Sequence, residues 1–249
     1  MDYSVALVEE NRLFGDLIRR ADPALPVPTC PEWTIQQLFR HVGRGDRWAA
    51  QIVAEQRDAP LDPRTVGGGK PPADPEQAIE WLHEGARLLI DAVGTTGPST
   101  PVWTFTGPRP AAWWIRRRLH EATVHRADAA LALGLPYELS PALAADGISE
   151  WLDIIGQSRG DGPAPLDAGS TLHLHASEDT LDSAGEWSIS LDDRAIIWDN
   201  SHSKAGAAVR GRAVDILLAL TRRLSAANAD VEILGDHSIW DTWLERTGF

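Results

Sequence analysis

The chain has a single cysteine in 249 residues. Cys30 therefore has no internal disulfide partner, which excludes a secreted scaffold stapled by disulfides and fits a reducing compartment. Positive charge is also scarce: 23 Lys and Arg stand against 36 Asp and Glu, for a net charge of −13. That balance works against a phosphate backbone or an anionic lipid surface as partner. No segment is apolar for long enough to cross a bilayer, and the opening MDYSVALVEENR lacks the basic start and apolar run of a secretory signal. Nucleic acid and membrane are set aside, and a cytoplasmic location is expected. What the chain does have is 43% apolar residues, 11 of its residues being tryptophan, enough for a core in one large domain or two ordinary ones.

The first half reads as helices with identifiable ends. Ala6, Leu13 and Leu17 form one stripe of an opening helix, with Arg19 and Arg20 at the end where the helix dipole favours cations. Three prolines in ALPVPTCPEW forbid helix, and Thr34 followed by Gln37 then forms a capping box for a second helix running through Val53. Residues 57–73 hold too many prolines and glycines for a regular element. Asp74 and Pro75 open a third helix, with Gly94 as its stop, and Ala111 to Leu133 forms a fourth that ends on Gly134. Ser140 and Pro141 open a fifth, to about Ile155.

GQSRGDGPAPLDAG has the composition of an exposed linker, so the expected division is a helical bundle over 1–156, a linker over 157–169 and a small domain over 170–249. Beyond the linker the period changes to two. TLHLHAS, EWSISL and RAIIWD alternate as half-buried antiparallel strands, with Asp192-Asp193 as a turn. A helix from Ala213 to Leu224, a strand at VEIL and a closing helix over HSIWDTWLERTGF complete an α+β tail.

Glu121 and His125 lie four apart, about 40° apart around a helix and roughly 6 Å along it, so both reach one ion. HEATVH is not a zinc-protease helix, because that motif needs histidines four apart and position 124 is valine. His41 is the candidate third ligand, since it borders the buried stripe of helix two, and bundle metal sites are built from facing helices. Two His and one Glu would leave a coordination position open, as catalytic zinc does. On spacing alone, an exposed Glu–His helix pair is the commoner arrangement.

The segment Val27-Pro28-Thr29-Cys30-Pro31-Glu32-Trp33-Thr34, followed by His41 and Arg47-Trp48, resembles the opening of the mycothiol-dependent maleylpyruvate isomerase family. His120-Glu121-Ala122-Thr123-Val124-His125-Arg126, with Asp128 beyond, is similar to that family's later metal-binding helix. TLHLHASED, GEW, GRAVDILLALTRR and VEILGD resemble its C-terminal domain. The resemblance implies an α+β protein: a DinB-like up-down helical bundle that binds zinc through His41, Glu121 and His125, followed by a smaller, sterol-carrier-like domain. It also implies that one arginine of LTRRL, Arg222 or Arg223, holds the thiol cofactor.

Other features have simpler explanations. Cys30 is expected to be a small buried hydrophobe rather than a fourth ligand. His173 and His175 share a strand face and could bind metal, although a polar face beside Leu172 and Leu174 accounts for them. Of Arg116, Arg117 and Arg118, at least two are expected in solvent, while Arg126 and Asp128 are candidates to support the ligands.

The function expected first is activation of mycothiol as a metal-bound thiolate for S-transfer to an electrophilic small molecule. Mycothiol-dependent cis-trans isomerisation of a maleylpyruvate-like substrate is the alternative. A metal-assisted hydrolase and a non-catalytic small-molecule binding protein are the rivals from other classes.

Overall fold

Residues 1–157 and 162–248 are described in a computed structural model of the chain. Asp2 accepts hydrogen bonds from the amides of Ser4 and Val5 and starts α1, Tyr3–Ile18. Its buried positions are Leu7, Glu10, Asn11, Phe14, Gly15 and Ile18. Ala6, Leu13 and Leu17, the expected stripe, are only half-buried. The apolar pattern misjudged the rotation because two buried positions are polar: Glu10 receives Arg126 at 2.7 Å, and Asn11 donates to Asp46 at 2.8 Å.

The capping box at Thr34 is present in both directions and starts α2, Ile35–Ala54. It satisfies two amides that every helix start leaves without intrahelical partners. The segment that follows holds one 3-10 turn, Pro63–Thr65, started by Asp62. Asp74 caps α3, Pro75–Thr96, which passes the expected stop at Gly94 and ends at Gly97 with φ 97°. A glycine inside a helix costs only about 1 kcal/mol, and beyond it Thr96 Oγ1 donates to the Val53 carbonyl at 3.2 Å. A short ribbon of β1, Pro101–Val102, and β2, Arg109–Pro110, precedes α4, Trp113–Ala132. Gly134, at φ 64°, closes α4 as expected, with the Leu135 amide bonded to the Ala130 carbonyl.

In this bundle α2 packs on α3 and α1 on α4, around Phe14, Val27, Leu38, Phe39, Val42 and Leu82. Each such side chain contributes roughly 1.5–3 kcal/mol on burial.

The chain divides into two compact units, Met1–Tyr137 and Glu138–Phe249. That division departs from the expected boundary at 157–169, because α5, Pro141–Gln157, packs on α6 and β5 of the second unit. Trp187 Nε1 also donates to Ser149 of α5 at 2.9 Å. Residues 158–161 of the expected linker lie outside the described residues.

The sheet of the second unit has the order β5-β4-β3-β6-β7. Its strands are β3, Leu172–Ala176, β4, Glu186–Asp192, β5, Ala195–Asp199, β6, Ala207–Gly211, and β7, Glu232–Gly235. β3 and β6 run parallel, and the other pairs are antiparallel. The β4–β5 hairpin turns through Asp193 and Arg194, one residue on from the expected pair. β6 was not anticipated, because Ala207-Ala208-Val209-Arg210-Gly211 has one β-branched residue and no clean alternation. Inward Leu172, Leu174, Trp187, Ile189 and Val209 are fully buried, and α6, Ala213–Leu220, packs against β3 and β6. α7, His237–Arg246, closes the chain as expected. No described helix is long and apolar enough to cross a membrane.

Candidate metal centre

By composition α4 is a polar helix, yet Arg117, Arg118, His120, Thr123, His125 and Asp128 are all buried on it. Buried polar groups destabilise a fold unless they are paired, and the pairing is what builds the site. Glu121 Oε2 lies 3.4 Å from His41 Nε2 of α2 and 3.5 Å from His125 Nε2. One donor atom from each of the three residues falls within 4.8 Å of the others. The two imidazole rings stand at 81° to each other, 4.9 Å apart, so they converge on a point rather than stack. Trp33, just before α2, lies 4.7 Å from the His41 ring and 6.0 Å from that of His125. The structure thus brings together all three residues singled out in the sequence.

Behind the ligands is a shell of partners. Asp128 is fully buried, with Oδ2 2.8 Å from His125 Nδ1 and Oδ1 accepting from Thr29 Oγ1 at 2.6 Å. A carboxylate on Nδ1 fixes the ring and leaves Nε2 facing Glu121, as histidine ligands of metals require. Arg117 donates to Glu121 Oε1 at 2.8 Å, and Arg118 reaches Oε2 at 3.4 Å. The expectation that at least two of the three arginines are solvated is therefore corrected, since Arg117 and Arg118 are buried and grip the Glu121 carboxylate. Their spacing of four and three residues from Glu121 was the available signal, but a run of three arginines reads as surface. Arg118 also donates to Asp46 Oδ1 at 2.9 Å and to the Val42 carbonyl at 3.1 Å.

Two glycines of α2 make this approach possible. A Cβ on Gly45 would lie 2.5 Å from an Arg118 Nη, and one on Gly43 would lie 2.2 Å from the Trp81 ring.

The electrostatics follow from these contacts. Burial opposes ionisation of Glu121, yet Arg117, the two histidines and Arg118 hold its carboxyl well below the usual carboxylate range. Burial, helped by the nearby His125 and Arg118, lowers His41, so it is neutral at pH 7 with a lone pair to give. Burial also works against a charged His125, but Asp128 and Glu121 outweigh it and raise this ring.

The donor set fits a zinc-class ion. Metal–ligand distances near 2.0–2.2 Å put neighbouring tetrahedral donors roughly 3.4 Å apart, which is the spacing observed around Glu121.

The other candidates fall elsewhere. His120 is buried but outside the convergent set. Cys30 is half-buried and, rather than a simple hydrophobe, is a thiol donating to Asp128 Oδ2 at 3.7 Å. Arg126 pairs with Glu10 and lies over the Tyr137 ring at 4.5 Å. In the second unit α6 stops at Leu220, four residues before the expected Leu224. Arg222 there takes φ 58°, with its amide bonded to the Ala219 carbonyl and that of Arg223 to Leu218, a helix stop that glycine usually occupies. The Arg222 side chain is exposed, and Arg223 donates to the Thr221 carbonyl at 2.7 Å.

Residues 5–130 match the family model of the mycothiol maleylpyruvate isomerase N-terminal domain, and residues 142–242 match that of the MDMPI C-terminal domain. The chain belongs to the mycothiol maleylpyruvate isomerase family. Membership marks it as an enzyme of the isomerase or transferase kind. The family's C-terminal match begins within α5, consistent with the division before that helix. Two uncharacterized proteins from two strains of Mycobacterium tuberculosis are each 28% identical over 149 residues, covering 57% of this chain and 73% of theirs. A crystal structure of a histidine-to-alanine mutant of the mycothiol-dependent maleylpyruvate isomerase superposes with a TM-score of 0.56 at 16% identity, covering 90% of this chain and 89% of that one. At that identity the likeness speaks for the fold, helical bundle first and sheet domain second.

Proposed function

We propose that this member of the mycothiol maleylpyruvate isomerase family is a mycothiol-dependent isomerase whose divalent cation, zinc by the chemistry of the donors, is held by His41, Glu121 and His125. The observation that carries the reading is the convergence of those donors on one carboxylate oxygen, at 3.4 and 3.5 Å. A cation bound there lowers the pKa of a thiol from about 8.5, so that thiolate is available at neutral pH. Two imidazoles and one carboxylate leave room for that thiol beside them. Asp128 keeps His125 Nε2 directed inward, Arg117 and Arg118 keep Glu121 ionised and still, and the Trp33 ring gives the site an apolar wall.

In cis-trans isomerisation the sulfur adds to one carbon of a conjugated double bond, the remaining single bond rotates, and the C–S bond breaks with return of the electron pair. The thiol is regenerated, and nothing is oxidised or reduced. In S-transfer, the reaction expected first from the sequence, the sulfur stays on the product. The family match supports isomerisation better. So does a cavity of about 490 Å³ lined by Arg40, Arg44, Arg64 and Lys70, the first two on α2 with His41, since such a lining suits carboxylates of the kind maleylpyruvate carries. Arg222 or Arg223 remains the proposed contact for the thiol.

The test supplies zinc-loaded protein with maleylpyruvate and less than one equivalent of mycothiol. Many turnovers per thiol, with mycothiol recovered intact by mass spectrometry, support isomerisation. One thiol consumed per product favours S-transfer, turnover without thiol favours a hydrolase, and binding that survives metal removal with no turnover favours a carrier.

A further inference from the structure

A second cluster of titratable groups lies in the other unit. His173 and His175 alternate along β3 and so share one face. The antiparallel register sets Glu186 of β4 directly opposite His175 and Ser188 opposite His173, which puts the carboxylate on that same face. The segment between β5 and β6 delivers His202, and it is fastened to β4 on either side of that residue. Asn200 Nδ2 donates to the Glu186 carbonyl at 2.7 Å, and Ser203 Oγ lies 2.6 Å from Ser188 Oγ.

The Glu186 carboxylate is surrounded by nitrogens: His173 Nε2 at 2.7 Å, His175 Nδ1 at 3.1 Å and His202 Nδ1 at 3.0 Å. An ion pair needs only one of them. His173 is 4% exposed, and its Nε2 makes no hydrogen bond: it faces Glu186 closely without the alignment of a donor. The three rings lie 5.3–6.0 Å apart at 72–87° to one another, converging from different directions. One donor atom from each of the four residues lies within 4.8 Å of the others.

We infer that His173, His175, Glu186 and His202 form a second metal site, closed by four protein ligands and selective for a zinc-class divalent cation. Three imidazoles and one carboxylate suit Zn²⁺, Co²⁺, Ni²⁺ or Cu²⁺ and are a poor match for Mg²⁺ or Ca²⁺, which take oxygen donors. One carboxylate against a dication leaves a single net positive charge. Four protein ligands are the mark of a structural site, and the ion would tie the 200–206 segment to β3 and β4. The site uses residues of the second unit alone, so it stands or falls separately from the His41 centre.

The experiment uses tag-free full-length protein and three variants, His125→Ala, His202→Ala and the double variant, each loaded with Zn²⁺, dialysed against metal-free buffer and assayed for bound metal by elemental analysis. His202 is exposed, so its removal is expected to leave folding intact, which circular dichroism of each variant checks. Wild-type protein should retain two ions per chain, each single variant one, and the double variant none. Loss of His202 should weaken the second site by more than the ~10–100-fold typical of a supporting residue. Co²⁺ bound to the His125→Ala protein should show the visible bands of a four-coordinate ion, and these should vanish in the double variant. As an independent check on ligand chemistry, Glu186→Gln, which keeps the side chain's shape, should also abolish the second ion. The inference is overturned if the His125→Ala protein retains no metal after dialysis, or if its metal is unaffected by loss of both His202 and the Glu186 charge.

Discussion

Changing Gly45 to alanine sets two effects of opposite sign against each other. Gly45 lies inside α2, where alanine should stabilise the helix by about 0.5–1 kcal/mol through propensity alone. The added methyl would lie 2.5–2.7 Å from the three terminal guanidinium atoms of Arg118. An arginine tip usually yields to such contact at little cost, but this one is 4% exposed and is bonded to Asp46, the Val42 carbonyl and Glu121. Displacing it leaves the fully buried Asp46 carboxylate to its hydrogen bond from Asn11. Breaking a buried pair from one side costs about 3–5 kcal/mol. The net expectation for Gly45→Ala is a loss of roughly 2–4 kcal/mol, or a Tm lower by on the order of 5–15 °C for a protein of this size. Zinc affinity should fall as well, because Glu121 loses one of its two guanidinium contacts. Thermal unfolding of metal-free protein by calorimetry reads the first effect, and competition with a chelator reads the second. A Tm equal to or above that of the parent would refute the account of Arg118 as a fixed support of the site.

Three further outcomes are expected. Asp128→Asn keeps the shape behind His125 but removes the charge on its Nδ1, so zinc affinity measured by chelator competition should drop about 10–100-fold; an unchanged affinity would show that Asp128 does not orient the ligand. His125→Ala should empty the His41 centre, whereas His120→Ala should lower Tm, since a buried ring is lost, and leave zinc at that centre intact; equal metal loss in both would mean that the α4 face has been misassigned. Arg222→Gly should be neutral or stabilising by about 1 kcal/mol, because glycine accepts the left-handed conformation without strain; comparing its mycothiol KM with that of Arg223→Ala shows which arginine, if either, contacts the thiol.

The parts of this protein legible in its sequence are those that local rules determine. Thr34 and Gln37 make a capping box wherever they sit three apart before an apolar run, and Gly134 ends α4 because a left-handed residue is needed there. The pair Glu121 and His125 shares a helix face by arithmetic, although choosing His41 as their companion took the resemblance as well as the pattern. What stayed hidden depends on neighbours. Glu10 and Asn11 face inward because Arg126 and Asp46 wait for them, so an apolar stripe alone gives α1 the wrong rotation. Arg117 and Arg118 look like solvent-facing charges until the helices around α4 enclose them. The reach of Glu186 and His202 toward His173 and His175 depends on strand register and on a connecting segment, neither of which residue spacing encodes. β6 is carried by its neighbours β3 and β7 rather than by its own composition.

The central claim is that His41, Glu121 and His125 bind one ion. The most direct measurement is an anomalous difference map at the zinc edge from crystals of the zinc-loaded protein. The account predicts a peak about 2.0–2.2 Å from His41 Nε2, His125 Nε2 and a Glu121 carboxylate oxygen, with His125 Nδ1 still on Asp128. A map from zinc-saturated crystals with no peak between those three residues would contradict it.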